Sequence, residues 1–120
     1  MTALLVAAGA ALGAPLRFVA GQWLDERLPW GTLLVNVVGS ALLALLPSWG
    51  VVRAQPLLVA LVGPGVLGGF TTLSTYSEDA RALLADGHLA VAAAYLLGTL
   101  VACLLAVVVA DRLRRRQEAG

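Results

Sequence analysis

The sequence predicts an all-α integral membrane protein with four transmembrane helices, of which the third is broken. Hydrophobic residues make up 60% of the 120 positions and charged residues only 12%, whereas soluble domains carry roughly 25% charged residues. Four apolar runs lie at about 2–21, 31–49, 54–76 and 88–110, each close to the ~20 residues that span a bilayer. Because these runs use most of the chain, residues 1–120 are expected to form a single four-helix membrane domain.

The first run, 2–21, is expected to be a retained helix, because it lacks the basic residues that precede the apolar core of a signal peptide. Gly9, Gly13 and Arg17 are four residues apart and share one helical face. A Gly-x-x-x-Gly pattern lets two membrane helices approach closely, so close packing is the favoured interpretation of the glycines. Arg17 has two interpretations, an anchor in the lipid headgroups or a group that attracts anions.

The second predicted helix carries a polar stripe. Its members are spaced at i, i+4, i+7 and i+8, and they are Thr32, Asn36, Gly39 and Ser40. A carboxamide is costly in lipid without partners, so Asn36 must face protein or a polar path. Its NH₂ group could donate two hydrogen bonds to an anion, although this helix alone favours a hydrogen bond to another helix.

The third run contains glycines followed by hydroxyl side chains. Gly68 and Gly69 continue a helix poorly, because glycine loses the most backbone entropy on ordering. The sequence therefore predicts a break near 68–72, with short helical pieces on either side. Carbonyls freed around Gly68 and Thr71 could hold a cation such as Na⁺. The N-terminal end of the following half-helix favours an anion.

The fourth predicted helix carries Tyr95 and Thr99 on a small or polar face, and the chain ends in the basic segment 111–116. With four spans, both termini and the second loop share one side of the membrane. That side carries five arginines against two or three on the other, where Arg27 and Arg81 lie. The positive-inside rule then predicts that both termini are cytoplasmic.

Several classes of function have little support in the sequence. The net charge of +1 does not indicate nucleic-acid binding, and the single Cys103 provides neither a disulfide framework nor a metal cluster. An enzyme is not expected, since there is no nucleophile–base pair, phosphate loop or metal-ligand spacing. No predicted helix interior contains Asp, Glu, Lys or His, the groups that carry a coupling ion in proton-coupled exporters. Hydroxyl, amide and aromatic groups favour a passive anion path instead, one that releases its ion readily.

Three segments resemble the bacterial fluoride channel family (Fluc, also called CrcB). They are 9–18, 31–40 and 68–78, and the second and third in this order are highly specific. The resemblance implies a four-helix subunit that pairs antiparallel into a dimer, with two fluoride pores and a structural Na⁺ at its centre. It also implies passive export of cytoplasmic fluoride down its electrochemical gradient. Such a channel lies in the bacterial plasma (inner) membrane and confers fluoride resistance.

The resemblance implies a role for each site residue. Gly68 and Thr71 would supply the Na⁺ carbonyls, and Asn36 would be the pore amide. The remaining residues of the implied fluoride pathway are Leu73, Ser74, Thr75, Tyr76, Ser77, the fourth-helix Tyr95 and the vestibule Arg17. Leu73 and Tyr76 stand where the family usually has two phenylalanines, and leucine has no positive ring edge to offer fluoride.

Three alternatives stay open. The partner subunit would be either a second copy or a homologue. A dual-topology homodimer should show little charge bias, so the bias predicted for this chain keeps a homologous partner open. The missing ring at Leu73 keeps open a non-conducting or half-active subunit of a heteromeric channel. A small multidrug-type exporter is less favoured, because the first helix lacks the embedded glutamate that such a protein should carry.

Overall fold

The computed structural model describes residues 1–22 and 28–120, and within these ranges the chain is helical and has no strand. Arg27, which contributes to the predicted charge bias, lies outside the described residues. In the described ranges, four stretches are long and apolar enough to cross a membrane. They are Thr2–Gln22, Trp30–Ser48, Pro56–Ala85 and Leu89–Ala119. The third of these, Pro56–Ala85, is called the third span below.

Each span is built from one or more helices. The helices are α1 (Thr2–Gln22), α2 (Trp30–Leu45), α3 (Gly50–Arg53), α4 (Pro56–Ala60), α5 (Gly68–Phe70), α6 (Leu73–Ala85) and α7 (Leu89–Ala119). A 3-10 turn at Leu46–Ser48 extends α2, and a π-helical segment at Leu61–Leu67 joins α4 to α5. The third span therefore consists of α4, the π-helical segment, α5 and α6.

Small residues hold α1 against the third span. Gly9 and Gly13 are buried, and an added Cβ would collide with the carbonyl oxygen of Leu61 at Gly9 and of Val66 at Gly13. A Cβ added at Gly69 would lie 2.7 Å from the α1 backbone. Such close approach between helices requires residues without side chains. The structure confirms close packing as the role of the Gly-x-x-x-Gly pattern.

The third span is interrupted at Thr71 and Thr72, whose backbones are extended (φ −77°, ψ 156° and φ −147°, ψ 126°). The glycine pair 68–69 remains helical, so the interruption falls at the end of the expected interval 68–72. Upstream, Pro64 lies within the π-helical segment and lacks an N–H to donate. Downstream, the Thr72 Oγ1 accepts the backbone N–H of Thr75 at 3.1 Å and so caps α6.

Two helices run past their predicted ends. α6 continues to Ala85 rather than stopping near 76, and α7 continues to Ala119 rather than 110. Ion pairs spaced three or four residues apart favour helix beyond the apolar runs; they join Arg81 to Glu78 and Arg114 to Asp111 and Glu118. Glu78 and Asp79 therefore lie inside a helix. The expectation that helix interiors lack acidic residues was wrong for α6 and also for α7, which contains Asp111 and Glu118, because both predicted helices ended too early.

The buried core of the single chain is small, and α2 packs against α7 within it. Among the described residues the buried apolar side chains are Val35, Leu46, Ala60, Leu67, Ala80, Ala92 and Ala110. Large apolar side chains such as Leu4 (75% exposed) and Leu97 (64% exposed) face outwards. In a membrane, lipid or a partner covers such surfaces, and apolar burial therefore does little to hold the helices together. Close packing and polar contacts between the helices position the site instead.

Candidate functional site

The side-chain amide of Asn36 is bonded to the backbone at the interruption. Its Nδ2 donates to the Thr72 carbonyl oxygen at 2.9 Å, and its Oδ1 accepts the Thr72 N–H at 2.8 Å. Together these two bonds satisfy both peptide groups of a residue that has left the helix, which lipid could not do. The pair is called the Asn36–Thr72 clamp below. It confirms the helix-to-helix hydrogen bond favoured for Asn36, and the second N–H of the amide is not used by Thr72.

Hydroxyl groups cluster around Thr72. Its Oγ1 donates to the Thr75 Oγ1 at 3.1 Å and lies 3.2 Å from the Ser74 Oγ. The side chain of Thr72 is buried, whereas Ser74 and Thr75 are exposed. This cluster sits at the N-terminal end of α6, where backbone N–H groups and the helix dipole favour negative charge.

A pocket of about 640 Å³ opens on one side of Thr72. Its lining includes Arg17, Gln22, Thr32, Val35, Thr72 and Thr75, and we call it the Arg17 pocket. The Arg17 Nη1 donates to the Thr71 carbonyl oxygen at 3.3 Å, so the guanidinium is held at the interruption. An arginine is always charged, and the pocket therefore combines a fixed positive charge with hydroxyl groups.

A second pocket, of about 280 Å³, borders the clamp. Its lining includes Asn36, Ser40, Thr72, Tyr76, Thr99 and Cys103, and we call it the Asn36 pocket. Leu73 also lines it, although its side chain is 75% exposed. Thr72 lines both pockets, so one residue of the clamp borders each of them.

Two tyrosines connect α6 to α7. The Tyr76 O–H donates to the Leu96 carbonyl oxygen at 2.6 Å, and the Tyr76 and Tyr95 rings lie 5.4 Å apart at an angle of 46°. The Tyr95 O–H donates to the Asp79 Oδ2 at 3.1 Å. Tyr95 lines a separate, largely apolar pocket of about 310 Å³. The structure thus brings Tyr76 to the Asn36 pocket and leaves Tyr95 outside it.

The other predicted residues divide in the same way. Thr75 and Arg17 meet in the Arg17 pocket, while Leu73 joins Asn36 in the Asn36 pocket. Ser74 and Ser77 line neither of these pockets. Both serines are exposed. The Ser77 Oγ donates back to the Leu73 carbonyl at 2.8 Å, which occupies its donor within α6.

The two carbonyls implied as Na⁺ ligands differ. In a continuous helix the Thr72 N–H would donate to the Gly68 carbonyl, but it is bonded to Asn36 instead, so that carbonyl loses its donor. Gly68 is also exposed, and it therefore fits a cation ligand at the protein surface. The Thr71 carbonyl already accepts from the Arg17 guanidinium, whose charge opposes a second cation there. No cluster of three or more His, Cys, Asp or Glu side chains occurs in the described ranges.

Sequence reasoning missed some residues of these pockets. Thr72, the centre of the hydrogen bonding, is one of the hydroxyl residues that follow the glycines of the third run, and no role was predicted for it. Ser40 and Thr99 were placed on polar faces without a role, and Cys103 was considered only for disulfides and metals. Cys103 lies four residues after Thr99, so the helical spacing that identified the face of Thr99 also predicts its position.

The comparisons with known proteins cover nearly the whole chain. The family model of the CrcB-like protein, Camphor Resistance (CrcB), matches residues 4–110. A fluoride-specific ion channel FluC from Anaeromyxobacter sp. (strain K) is 44% identical over 118 residues, covering 93% of this chain and 94% of that protein. A protein of the same name from Rhizobium meliloti (strain 1021) is 43% identical over 110 residues, covering 87% and 88%. Fluoride-specific ion channel FluC 1 from Streptomyces coelicolor is 42% identical over 117 residues, covering 93% and 76%.

The match to the family model and the similarity to these relatives both agree with the architecture of the described residues. The matched segment, 4–110, takes in most of every apolar span. It also includes the interruption at Thr71 and Thr72 and all the residues that line the two pockets beside it. The chain therefore belongs to the CrcB family, and its four spans make it a multi-pass membrane protein.

Proposed function

We propose that this chain is a subunit of a fluoride channel that exports cytoplasmic fluoride passively, down its electrochemical gradient, and so confers fluoride resistance. The observation that carries the proposal is that two pockets, each with hydrogen-bonding groups in its wall, share Thr72 of the Asn36–Thr72 clamp. It occurs in a chain whose relatives are named fluoride-specific ion channels. The activity is transport, and no enzyme chemistry is proposed.

The residues of the two pockets have the chemistry that a weakly held anion needs. Arg17 attracts the anion into the Arg17 pocket, and the N-terminal end of α6 stabilises it near Thr75. The free N–H of Asn36 and the ring edge of Tyr76 then replace water around the ion in the Asn36 pocket. Hydroxyl, amide and ring-edge contacts are individually weak, so the ion can also leave.

The lining of the pockets favours a passive path over a coupled exporter. In the described part of the chain, no acidic, lysine or histidine side chain lines either pocket. Asp79, the half-buried acidic residue of α6, is bonded to Tyr95 outside both pockets. A proton-coupled exporter places such a group in the path, and the small multidrug-type alternative therefore gains no support.

A second subunit is proposed because the single chain leaves polar groups uncovered. Ser74 and Ser77 are exposed on the third span next to Leu73, which is 75% exposed. Hydroxyl groups facing lipid are unfavourable, whereas the same groups facing a partner or a water-filled path are satisfied. We place an antiparallel partner on this face, either a second copy or a homologue.

A structural Na⁺ is proposed at the same interface. The exposed Gly68 carbonyl, freed from its helical donor, would be a ligand from each subunit. The Thr71 carbonyl would join only if Arg17 moved away from it. The ion, when bound, supplies a fixed positive charge that stabilises the interrupted backbone.

Fluoride efflux from liposomes that contain the purified chain alone tests the proposal. A fluoride electrode follows efflux while valinomycin carries the balancing K⁺, with no proton gradient imposed. Efflux with chloride retained is the expected result, and it would show that Leu73 is tolerated in a working pore. A folded chain without fluoride efflux would support a heteromeric subunit only if adding a homologue restored efflux. Absence of efflux from that pair as well would reject the fluoride channel.

A further inference from the structure

The wall that α7 contributes to the Asn36 pocket contains two side chains with no role so far. Thr99 and Cys103 are one helical turn apart and both line the pocket. Thr99 is only 3% exposed, and its Oγ1 has no hydrogen-bond partner among the described residues. Buried hydroxyl groups are normally paired, so the unpaired Thr99 hydroxyl next to this pocket lacks a partner that a bound group could supply.

The thiol of Cys103 stands beside this unpaired hydroxyl. Cys103 is partly exposed and is the only cysteine of the sequence. The amide of Asn36 and the ring of Tyr76 line the same pocket. Sulfur is a soft ligand that prefers soft metal ions, whereas the amide and hydroxyl oxygens complete a coordination shell less strongly.

We propose that Cys103 is a binding site for a soft monovalent cation, Ag⁺, and that its occupation closes the anion path through the Asn36 pocket. The site depends on the proposed function for its effect on transport, but not for the binding itself. On binding, the Cys103 S–H bond breaks and an S–Ag bond forms. The proton leaves to water, and no atom changes oxidation state.

Two features of the pocket make the site reachable and its occupation effective. The Asn36 pocket is largely apolar, but the hydrogen-bonding groups in its wall can hold water, and an ion such as Ag⁺ reaches the thiol along these groups rather than through lipid. A silver thiolate held beside Asn36 then fills part of a pocket of only about 280 Å³. Conduction requires weak, multi-site contacts, so a tightly bound group at this point stops it.

The first experiment measures fluoride efflux from liposomes in chloride-free medium, before and after Ag⁺ is added. Efflux through the native chain is expected to fall to the leak of protein-free liposomes and to return when excess dithiothreitol removes the silver. Cys103→Ser is compared with its own untreated rate and should not respond to Ag⁺. Unchanged efflux through the native chain, or equal inhibition of Cys103→Ser, would overturn the proposal.

A positional control moves the thiol by one residue. Leu104 is 58% exposed on α7 and does not line the pocket, so Cys103→Ser combined with Leu104→Cys presents the thiol to lipid. This variant should also keep its efflux in the presence of Ag⁺. Inhibition of the variant would show that a thiol anywhere on α7 suffices, and would overturn the assignment to the pocket.

A second readout does not require transport. Because the chain has one cysteine, protection of its thiol from a small maleimide by Ag⁺ reports binding at Cys103 alone. Protection in a chain that does not conduct would reject the proposed channel activity while keeping the cation site. Absence of protection in a conducting chain would reject the cation site while keeping the channel.

Discussion

Replacing Asn36 with alanine tests the Asn36–Thr72 clamp directly. The change removes the amide that bonds the Thr72 N–H at 2.8 Å and the Thr72 carbonyl at 2.9 Å. Thr72 is 7% exposed, so water cannot readily replace the amide. Leaving two buried groups unsatisfied, at about 1–3 kcal/mol each, would lower the free energy of unfolding by at most roughly 6 kcal/mol. If each lost bond counts only as an average membrane hydrogen bond of ~0.6 kcal/mol, the loss of stability is at least about 1 kcal/mol.

The same variant removes the N–H that we propose donates to fluoride. A hydrogen bond to a charged group contributes about 1.5–3 kcal/mol. If that stabilisation is lost at the highest barrier, the rate falls roughly 10- to 150-fold. The matched control is Val38→Ala, which truncates a side chain that is 38% exposed on the same helix. Val38→Ala should conduct like the native chain.

Two measurements separate the clamp from the donor role of Asn36. Thermal unfolding in detergent reports the stability of Asn36→Ala, and fluoride efflux from liposomes reports its rate. A less stable variant with native efflux would keep the clamp and remove Asn36 from the anion path. Native stability together with native efflux would refute both roles.

Two further substitutions test packing and the aromatic contact. Gly13→Leu places a side chain against the Val66 carbonyl oxygen and should prevent the chain from folding. The control Ala11→Leu, on the exposed face of α1, should be tolerated. Gel filtration of the purified proteins distinguishes the two variants, and a monodisperse Gly13→Leu protein would contradict the proposed packing of α1. Tyr76→Phe removes the hydrogen bond to the Leu96 carbonyl and should cost about 0.5–1.5 kcal/mol of stability. Because the ring edge remains, fluoride efflux of Tyr76→Phe should persist, and a silent but folded variant would assign the conducting role to the hydroxyl.

The four spans could be predicted because the lipid environment imposes length and composition on each of them. The spacing of Gly9 and Gly13 also predicted a packing face, since helical periodicity determines which residues share a face. The position of the interruption was predicted only approximately. Glycine propensity pointed to 68–69, but the Thr72 backbone leaves the helix where Asn36 offers it both a donor and an acceptor. That choice depends on a residue from another helix, which local propensity does not include.

The residues of the site could be predicted better than the hydrogen bonds between them. Asn36 and Arg17 were both selected, but the sequence did not predict that they bond to adjacent peptide groups, at Thr72 and Thr71. The end of α6 was misplaced because hydropathy falls at Glu78, while the ion pair of Glu78 with Arg81 lets the helix continue. In both cases a specific side-chain contact decided what composition could not.

The interruption of the third span also has a consequence for the order of assembly in the membrane. The peptide groups of Thr71 and Thr72 are satisfied by Arg17 from α1 and Asn36 from α2, both of which precede the third span in the chain. During synthesis these partners have therefore already left the ribosome when the interrupted segment emerges. A chain rearranged so that α1 and α2 came last would have to insert the third span with its freed peptide groups facing lipid, a state that the bilayer strongly disfavours. The native order of the helices thus makes the hydrogen-bond partners on α1 and α2 available before the interrupted third span inserts.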